Sequence, residues 1–303
     1  MEQQPIVQLK NLSKVINGKQ IIDDLTLDIY PGQITGFLGP NGSGKTTTIR
    51  LMTGLMSLTG GEVIIDGVSL QKDYENAIKN VGVIVENPEM YKYLSGYKNL
   101  LHFTRMHTNI SKERIDEVVR QVGLENRIHE KVSTYSLGMR QRLGLAQSLL
   151  HNPKFLILDE PFSGLDPVNK DLLKEAILLL KEKGMTILFS SHQMENVEEL
   201  CDHLCLLKRG KPLFAGSLLD LKKQYGKTKL TVRTHFTQEQ LAALPGVVQV
   251  KADKDQFILT LEQEESAKSI FETLSNGAYI EKFSLDYLSL DEIFKDKVGE
   301  QHV

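Results

Sequence analysis

Residues 39–46 read Gly39-Pro40-Asn41-Gly42-Ser43-Gly44-Lys45-Thr46, and no other stretch constrains the fold as strongly. Glycines at 39, 42 and 44 let successive backbone N–H groups converge, which makes a cradle for phosphate oxygens. The apolar run ITGFL (34–38) predicts a strand before the loop, and residues 46–55 (TTTIRLMTGL) predict a helix after it. That helix adds its positive N-terminal end to the cradle. In this frame Lys45 reaches the β- and γ-phosphates of a nucleoside triphosphate, the Thr46 hydroxyl holds Mg²⁺, and Thr47 follows at the helix start. A tight turn ahead of a helix is the plain alternative, and the strand in front of the loop argues against it.

A second apolar run, FLIL (155–158), ends in Asp159-Glu160. Unbroken apolar sequence predicts a strand buried on both faces. Ligands of open α/β sheets bind beyond the carboxyl ends of the strands. Asp159 is therefore expected beside Mg²⁺, and Glu160 is expected to polarise an attacking water as general base. Standing alone, the pair would read as solvated acids at a strand end. The phosphate loop upstream changes that reading.

Composition sets bounds on partners. The chain has 303 residues and a formal net charge of -3, so no basic field marks nucleic acid as a partner. Its length suggests one large domain and one small one. Cys201 and Cys205 suit a reducing compartment, and without further ligands their spacing reads as two small semi-buried residues rather than a metal site. The N-terminus MEQQPIVQLK lacks the apolar core of a signal peptide, and no run reaches the ~20 apolar residues that span a bilayer. Service at a membrane is thus expected to go through a separate membrane-spanning chain.

Residues 6–10 and 21–29 alternate apolar and polar, as half-exposed antiparallel strands do, and 30–33 (YPGQ) is a turn. Further strands are predicted at 61–66, 81–85 and 185–190, with an amphipathic helix at 168–183. From about 90 to 150 the pattern is helical. CLLK (205–208) reads as a last strand, ending in a turn at Arg209-Gly210-Lys211. A composition shift at 221–228 reads as a linker, which divides the chain into 1–222 and 223–303. The tail predicts strand 229–234, helix 237–243, strands 247–252 and 256–261, helix 264–274 and strand 279–285. That βαββαβ order can close a small ferredoxin-like sandwich. A final helix follows SLDE, with Ser289 and Glu292 as a capping box.

Three more motifs stand at informative distances: YSLGMRQR (135–142), SGLD (163–166) and SSH (190–192). With them the chain resembles the ATP-binding subunit of ABC transporters over about residues 5–220. The resemblance implies an α/β P-loop fold: a RecA-like core, an antiparallel β subdomain and a helical subdomain, here followed by a small α+β C-terminal domain. It implies that Ser136, Leu137 and Gly138 meet the γ-phosphate of ATP held by a second copy, and that Asp166 contacts that copy. In isolation Ser136 reads first as the N-cap of an amphipathic helix, and the FLILDEP segment that follows turns the reading toward the signature. His192 resembles the switch histidine that binds the γ-phosphate and the attacking water. ATP and Mg²⁺ are the implied cofactors.

The chain departs from the family at three places. Ile16 stands where an aromatic residue usually stacks on adenine. Glu86 stands where a glutamine usually faces Mg²⁺, and it brings a negative charge. Leu137 and Met139 replace the common glycine and glutamine. SLGMRQR and the ENP at 86–88 resemble a narrower group, the ATPases of bacterial peptide-antibiotic exporters of the bacitracin-resistance and lantibiotic-immunity type. Those work at the cytoplasmic face of the membrane with a separate permease. ENPEMYKY (86–93) is the expected permease-docking segment, with Tyr91 and Tyr93 as anchors or as ordinary surface residues. A soluble regulatory or assembly ATPase is the competing reading. The C-terminal domain reads as a small-molecule sensor or as an added dimer contact, and the sequence does not choose.

Overall fold

Alternating and unbroken apolar patterns sort the N-terminal strands into two sheets. The computed structural model describes residues 4–86, 88–106, 110–225, 228–277, 279–287 and 289–298, and divides into two units, Met1–Gly216 and Ser217–Val303. In the first unit the elements run β1 (Val7–Ile16), β2 (Lys19–Ile29), β3 (Ile34–Leu38), α1 (Lys45–Met52), β4 (Gly60–Ile65), β5 (Val68–Ser69), α2 (Tyr74–Ile78) and β6 (Val81–Ile84). They continue with α3 (Gly96–Phe103), α4 (Lys112–Gln121), α5 (Leu137–Leu149), β7 (Phe155–Leu158), α6 (Pro167–Glu182), β8 (Thr186–Ser191), α7 (Met194–Leu200), β9 (His203–Lys208) and β10 (Lys211–Ser217).

The alternating strands form a four-stranded antiparallel sheet in the order β2-β1-β4-β5. The apolar strands form a six-stranded sheet in the order β10-β9-β3-β8-β7-β6, and β9, β3, β8, β7 and β6 run parallel. Every residue of β3, β7 and β8 is buried. Parallel strands need crossovers, and those crossovers cover both faces of the sheet, which is why the strands read as continuous apolar runs. β3 lies between β8 and β9, so the loop that leaves it opens at the sheet's middle.

Helices α3, α4 and α5 begin alike. Ser95, Ser111 and Ser136 each accept a hydrogen bond from the backbone N–H three residues on, a cap that contributes about 1 kcal/mol per helix.

Three expectations need correction. The helix after the phosphate loop ends at Met52, because Gly54 turns left-handed at φ 72° with its N–H donating to the Leu51 carbonyl, and Met56 N–H closes back on the Arg50 carbonyl. CLLK lies in β9, which is not the last strand: β10 returns beside it after Arg209-Gly210, and so short a connection permits only an antiparallel return. The stretch read as a linker is largely helix, α8 (Leu218–Tyr225), with Leu221 fully buried.

The second unit continues with β11 (Thr228–Thr234), α9 (Gln238–Ala242), β12 (Val247–Asp253), β13 (Gln256–Leu261), α10 (Ser266–Gly277), β14 (Ile280–Tyr287) and α11 (Leu290–Val298). Its sheet order is β12-β13-β11-β14, with each neighbouring pair antiparallel. This is the βαββαβ succession. Leu230, Val232 and Leu259 of the sheet pack with Leu241, Ile270 and Leu274 of α9 and α10. The capping box before α11 is present: Glu292 N–H donates to Ser289 Oγ, and Ser289 N–H donates to Glu292 Oε2.

Candidate functional site

The phosphate loop joins β3 to α1. Gly44 is the N-cap of α1, at φ 111° and without a side-chain cap. A Cβ on Gly44 would lie 2.5 Å from Ile22 Cδ1. The first helical bond back is Thr48 N–H to Gly44 O. Helix geometry therefore leaves the N–H groups of Lys45, Thr46 and Thr47 without intrahelical partners. Ser43 Oγ is buried within the loop and has no partner. The loop is braced from outside: Gly210 N–H donates to Ser43 O at 2.9 Å, and Asp23 N–H donates to Gly210 O at 2.9 Å.

The ends of β7 and β8 bring the acids to the loop. Lys45 is 6 % exposed; its Nζ donates to Gly39 O at 2.8 Å and lies 3.3 Å from Glu160 Oε1. The other oxygen, Glu160 Oε2, is 2.9 Å from His192 Nδ1. Glu160 takes a left-handed φ of 47°, and its N–H donates to Ser190 Oγ at 2.8 Å. The Ser190 hydroxyl donates in turn to Asp159 Oδ1 at 2.5 Å. Ser190 and Asp159 are buried. An uncompensated carboxylate at that depth is costly, so the hydroxyl both stabilises Asp159 and fixes Glu160. The result is a chain Lys45–Glu160–His192 beside the helix start.

Lys45, Glu160 and His192 line a cavity of about 540 Å³ together with Asn41, Gly42, Gly44, Thr46, Thr47 and Ser163, and with Lys19 and Ile21 from β2; Asp159 is not among the lining residues. Ile16 ends β1 opposite Lys19 and is not among the lining residues. Glu86 does not line the cavity either; its Oε1 accepts from Arg50 Nη2 at 2.5 Å. Asn87 lies outside the described residues.

Ser136, Leu137 and Gly138 are placed at the start of α5, away from this lining. Ser136 caps the helix by accepting from Met139 N–H at 3.2 Å. Asp166 caps α6: Oδ1 accepts from Asn169 N–H at 3.1 Å and Oδ2 from Asn169 Nδ2 at 2.6 Å. Those bonds, the side-chain one first, hold its carboxyl below the usual range. Asn169 packs on Gly138, and Gly164 sits against Leu137, so the SLG and SGLD segments adjoin within one chain.

Tyr91 and Tyr93 meet edge to face at 5.9 Å between ring centroids, and they are 42 % and 70 % exposed. Beside them a groove of about 380 Å³ is lined by Pro88, Glu89, Met90, Lys92, Val132, Leu137 and Arg140. Cys201 and Cys205 are both buried thiols. Among the described residues no helix is long and apolar enough to cross a membrane.

Sequence reasoning does not reach Lys19, Ile21 and Gly210, and the SSH motif gives Ser190 no role of its own. The first three reach the site through hairpins whose pairing no local pattern reveals. Ser190 carried a signal: a polar residue inside the apolar run MTILFS, at the strand end neighbouring Asp159.

A phosphate cradle at the middle of a parallel sheet, with lysine, glutamate and histidine converging on it, defines a P-loop nucleotide hydrolase. The chain belongs to the ATP-binding subunits of ABC transporters. The family model described as "ABC transporter" matches residues 22–163, and one described as "ATP-binding protein DrrA1-3-like, C-terminal domain" matches residues 216–298. An uncharacterized ABC transporter ATP-binding protein, YhcH of Bacillus subtilis (strain 168), is 58% identical over 68% of this chain and 68% of its own. The bacitracin transport ATP-binding protein BcrA of Bacillus licheniformis is 34% identical over 97% of each. The lantibiotic transport ATP-binding protein SrtF of Streptococcus pyogenes is 39% identical over 68% of this chain and 88% of its own. A solved structure described as the ATP binding subunit of an ABC transporter superposes with a TM-score of 0.65 at 29% identity, covering 73% of this chain and 93% of that one. The chain is thus a nucleotide-binding ABC ATPase, and its relatives include proteins of antibiotic and lantibiotic transport.

Proposed function

We propose that this chain drives export of a peptide antibiotic or a similar amphiphile, working as one of two copies that close on two ATP molecules beneath a separate permease. One observation carries the pairing: the cavity at the phosphate loop holds Lys45, Glu160 and His192, but Ser136, Leu137 and Gly138 lie outside it. A second copy placed head to tail brings the capped start of its α5, with the positive end of that helix, to the cavity.

The residues act in a simple division of labour. The Lys45 ammonium and the backbone N–H groups of Lys45, Thr46 and Thr47 bind the β- and γ-phosphates. Glu160 accepts a proton from the attacking water. His192 orients Glu160 and reports that the γ-phosphate is in place. The Thr46 hydroxyl, on the cavity lining, and the Asp159 carboxylate, buried and bonded to Ser190, are the hard oxygen groups that would hold Mg²⁺ directly or through water. Mg²⁺ held there neutralises charge on the phosphoryl oxygens. Ile21 lines the cavity and offers the base apolar contact without a stack, and Ile16 brings no aromatic ring, which favours loose base selectivity.

Tyr91 and Tyr93, beside the groove at Met90 and Arg140, form the permease-docking surface. The transported class follows the relatives named for bacitracin and lantibiotic transport, and export follows with it. The second unit, from Ser217, serves as a ligand sensor or a dimer contact. A chain truncated after Gly216 separates these by losing either ligand response or dimerisation.

The test is to purify tagged Glu160→Gln from membranes in Mg-ATP. A polytopic membrane protein recovered with two copies of this chain supports the reading. Recovery only from the soluble fraction sinks it in favour of a soluble regulatory ATPase. In the recovered complex, Tyr91→Ala with Tyr93→Ala is expected to uncouple ATP turnover from the permease; an unchanged rate and unchanged complex discard the docking surface.

A further inference from the structure

The last turn of α1 carries an arginine that the chemistry above does not use. Arg50 Nη2 donates to Glu86 Oε1 at 2.5 Å. Glu86 follows β6 with a φ of 60°, a left-handed conformation uncommon for a residue with a side chain. The two side chains are 40% and 62% exposed. Exposed ion pairs add little to folding stability, so stability alone does not account for a strained backbone holding this pair.

Position gives the pair another use. Thr46 and Arg50 are four residues apart on α1, so they share a face with Cβ atoms about 6 Å apart. Arg50 therefore holds the Glu86 carboxylate about one helical turn from the mouth of the phosphate cradle. An uncompensated carboxylate there repels a bound triphosphate.

We propose that Arg50 is a positioning residue that fixes Glu86 and cancels its repulsion of the triphosphate on the phosphate loop. The proposal rests on the reading of that loop as the nucleotide site. The field of one carboxylate acts on a triphosphate bearing about four charges across roughly 10 Å. Coulomb's law in water gives about a fifteenfold change in affinity before screening, and screening at low salt leaves about threefold to tenfold. Screening removes most of it near 1 M salt, where the Debye length is about 3 Å.

The test is calorimetric titration of ATP into the full chain in EDTA, so that neither metal nor turnover enters. Arg50→Gln is expected to weaken binding by about threefold to tenfold at low salt, and Arg50→Gln with Glu86→Gln to restore it within about twofold. Glu86→Gln alone, which exposes the arginine's charge, is expected to tighten binding by a similar factor; it stands as the test should Arg50→Gln fail to fold. All differences are expected to fade at high salt. A loss in Arg50→Gln that the second substitution does not restore overturns the proposal, because Arg50 then acts on its own. Unchanged affinity in Glu86→Gln overturns it as well. A wild-type chain that binds ATP neither in EDTA nor with Mg²⁺ overturns the nucleotide reading beneath it, which distinguishes the two failures.

Discussion

Gly138→Ala tests whether the SLG and SGLD segments are built as one unit. A Cβ at 138 would lie 2.3 Å from Asn169 Cγ and Oδ1 and 2.5 Å from Asn169 Cβ. The amide end can swing away, but the Cβ is fixed to α6, so a helix must move. Overpacking of this kind costs about 1–3 kcal/mol. Displacing the amide also breaks the bond of 2.6 Å from Asn169 Nδ2 to Asp166, an exposed bond that adds little. The gain from glycine to alanine in a helix offsets about 0.5–1 kcal/mol. The net loss is about 1 kcal/mol, or about 2–4 °C in the melting of a unit this size. Scanning calorimetry of Gly138→Ala, Asn169→Gly and the double variant reads it. The double variant is expected to melt no lower than Asn169→Gly, because the clash is gone. A higher melting temperature for Gly138→Ala, or strictly additive losses, refutes the packing argument.

Ser190→Ala removes a buried hydroxyl that serves Asp159 and the Glu160 backbone, so a loss of about 2–3 kcal/mol is expected in urea denaturation, with a fall in ATP turnover; a loss of a few tenths would show that the hydroxyl positions nothing. Asp166 is held below its unfolded pKa, so the stability it contributes is present above that value and lost as pH falls through the folded one. The gap between wild type and Asp166→Ala should be full at neutral pH and close below about pH 4; a gap independent of pH counts against the cap. Burial pushes the Cys205 thiol up to about 12 and the Cys201 thiol upward as well, so neither should react with a disulfide reagent until guanidinium unfolds the chain; fast labelling of the native protein would contradict the burial.

The site was most legible where its parts are contiguous. GPNGSGKT, DE and SSH are legible because each follows an apolar strand whose end opens on the cavity at the phosphate loop. The tail was legible for a related reason: its strands alternate and its helices are capped by Thr237 and Ser289. Contacts between distant segments were not legible. Nothing local to Gly138 announces Asn169, and nothing local to Glu86 announces Arg50. β10 escaped notice because it is half exposed, with the apolar residues of KPLFAGS too few to give a strand pattern. α8 was mistaken for a linker because its lysines hide one informative residue, the buried Leu221.

The brace at Gly210 has a consequence for measurement. Its N–H holds the phosphate loop, its carbonyl holds Asp23, and a Cβ there would come within 2.0 Å of the Ile21 carbonyl. Three chain segments from two sheets are thereby riveted at one point without a side chain. The two sheets at that point serve as a single fixed frame. Spectroscopic labels on β2 and β9 would report a ruler rather than a motion, and any displacement on nucleotide binding is best read from the helices against that frame.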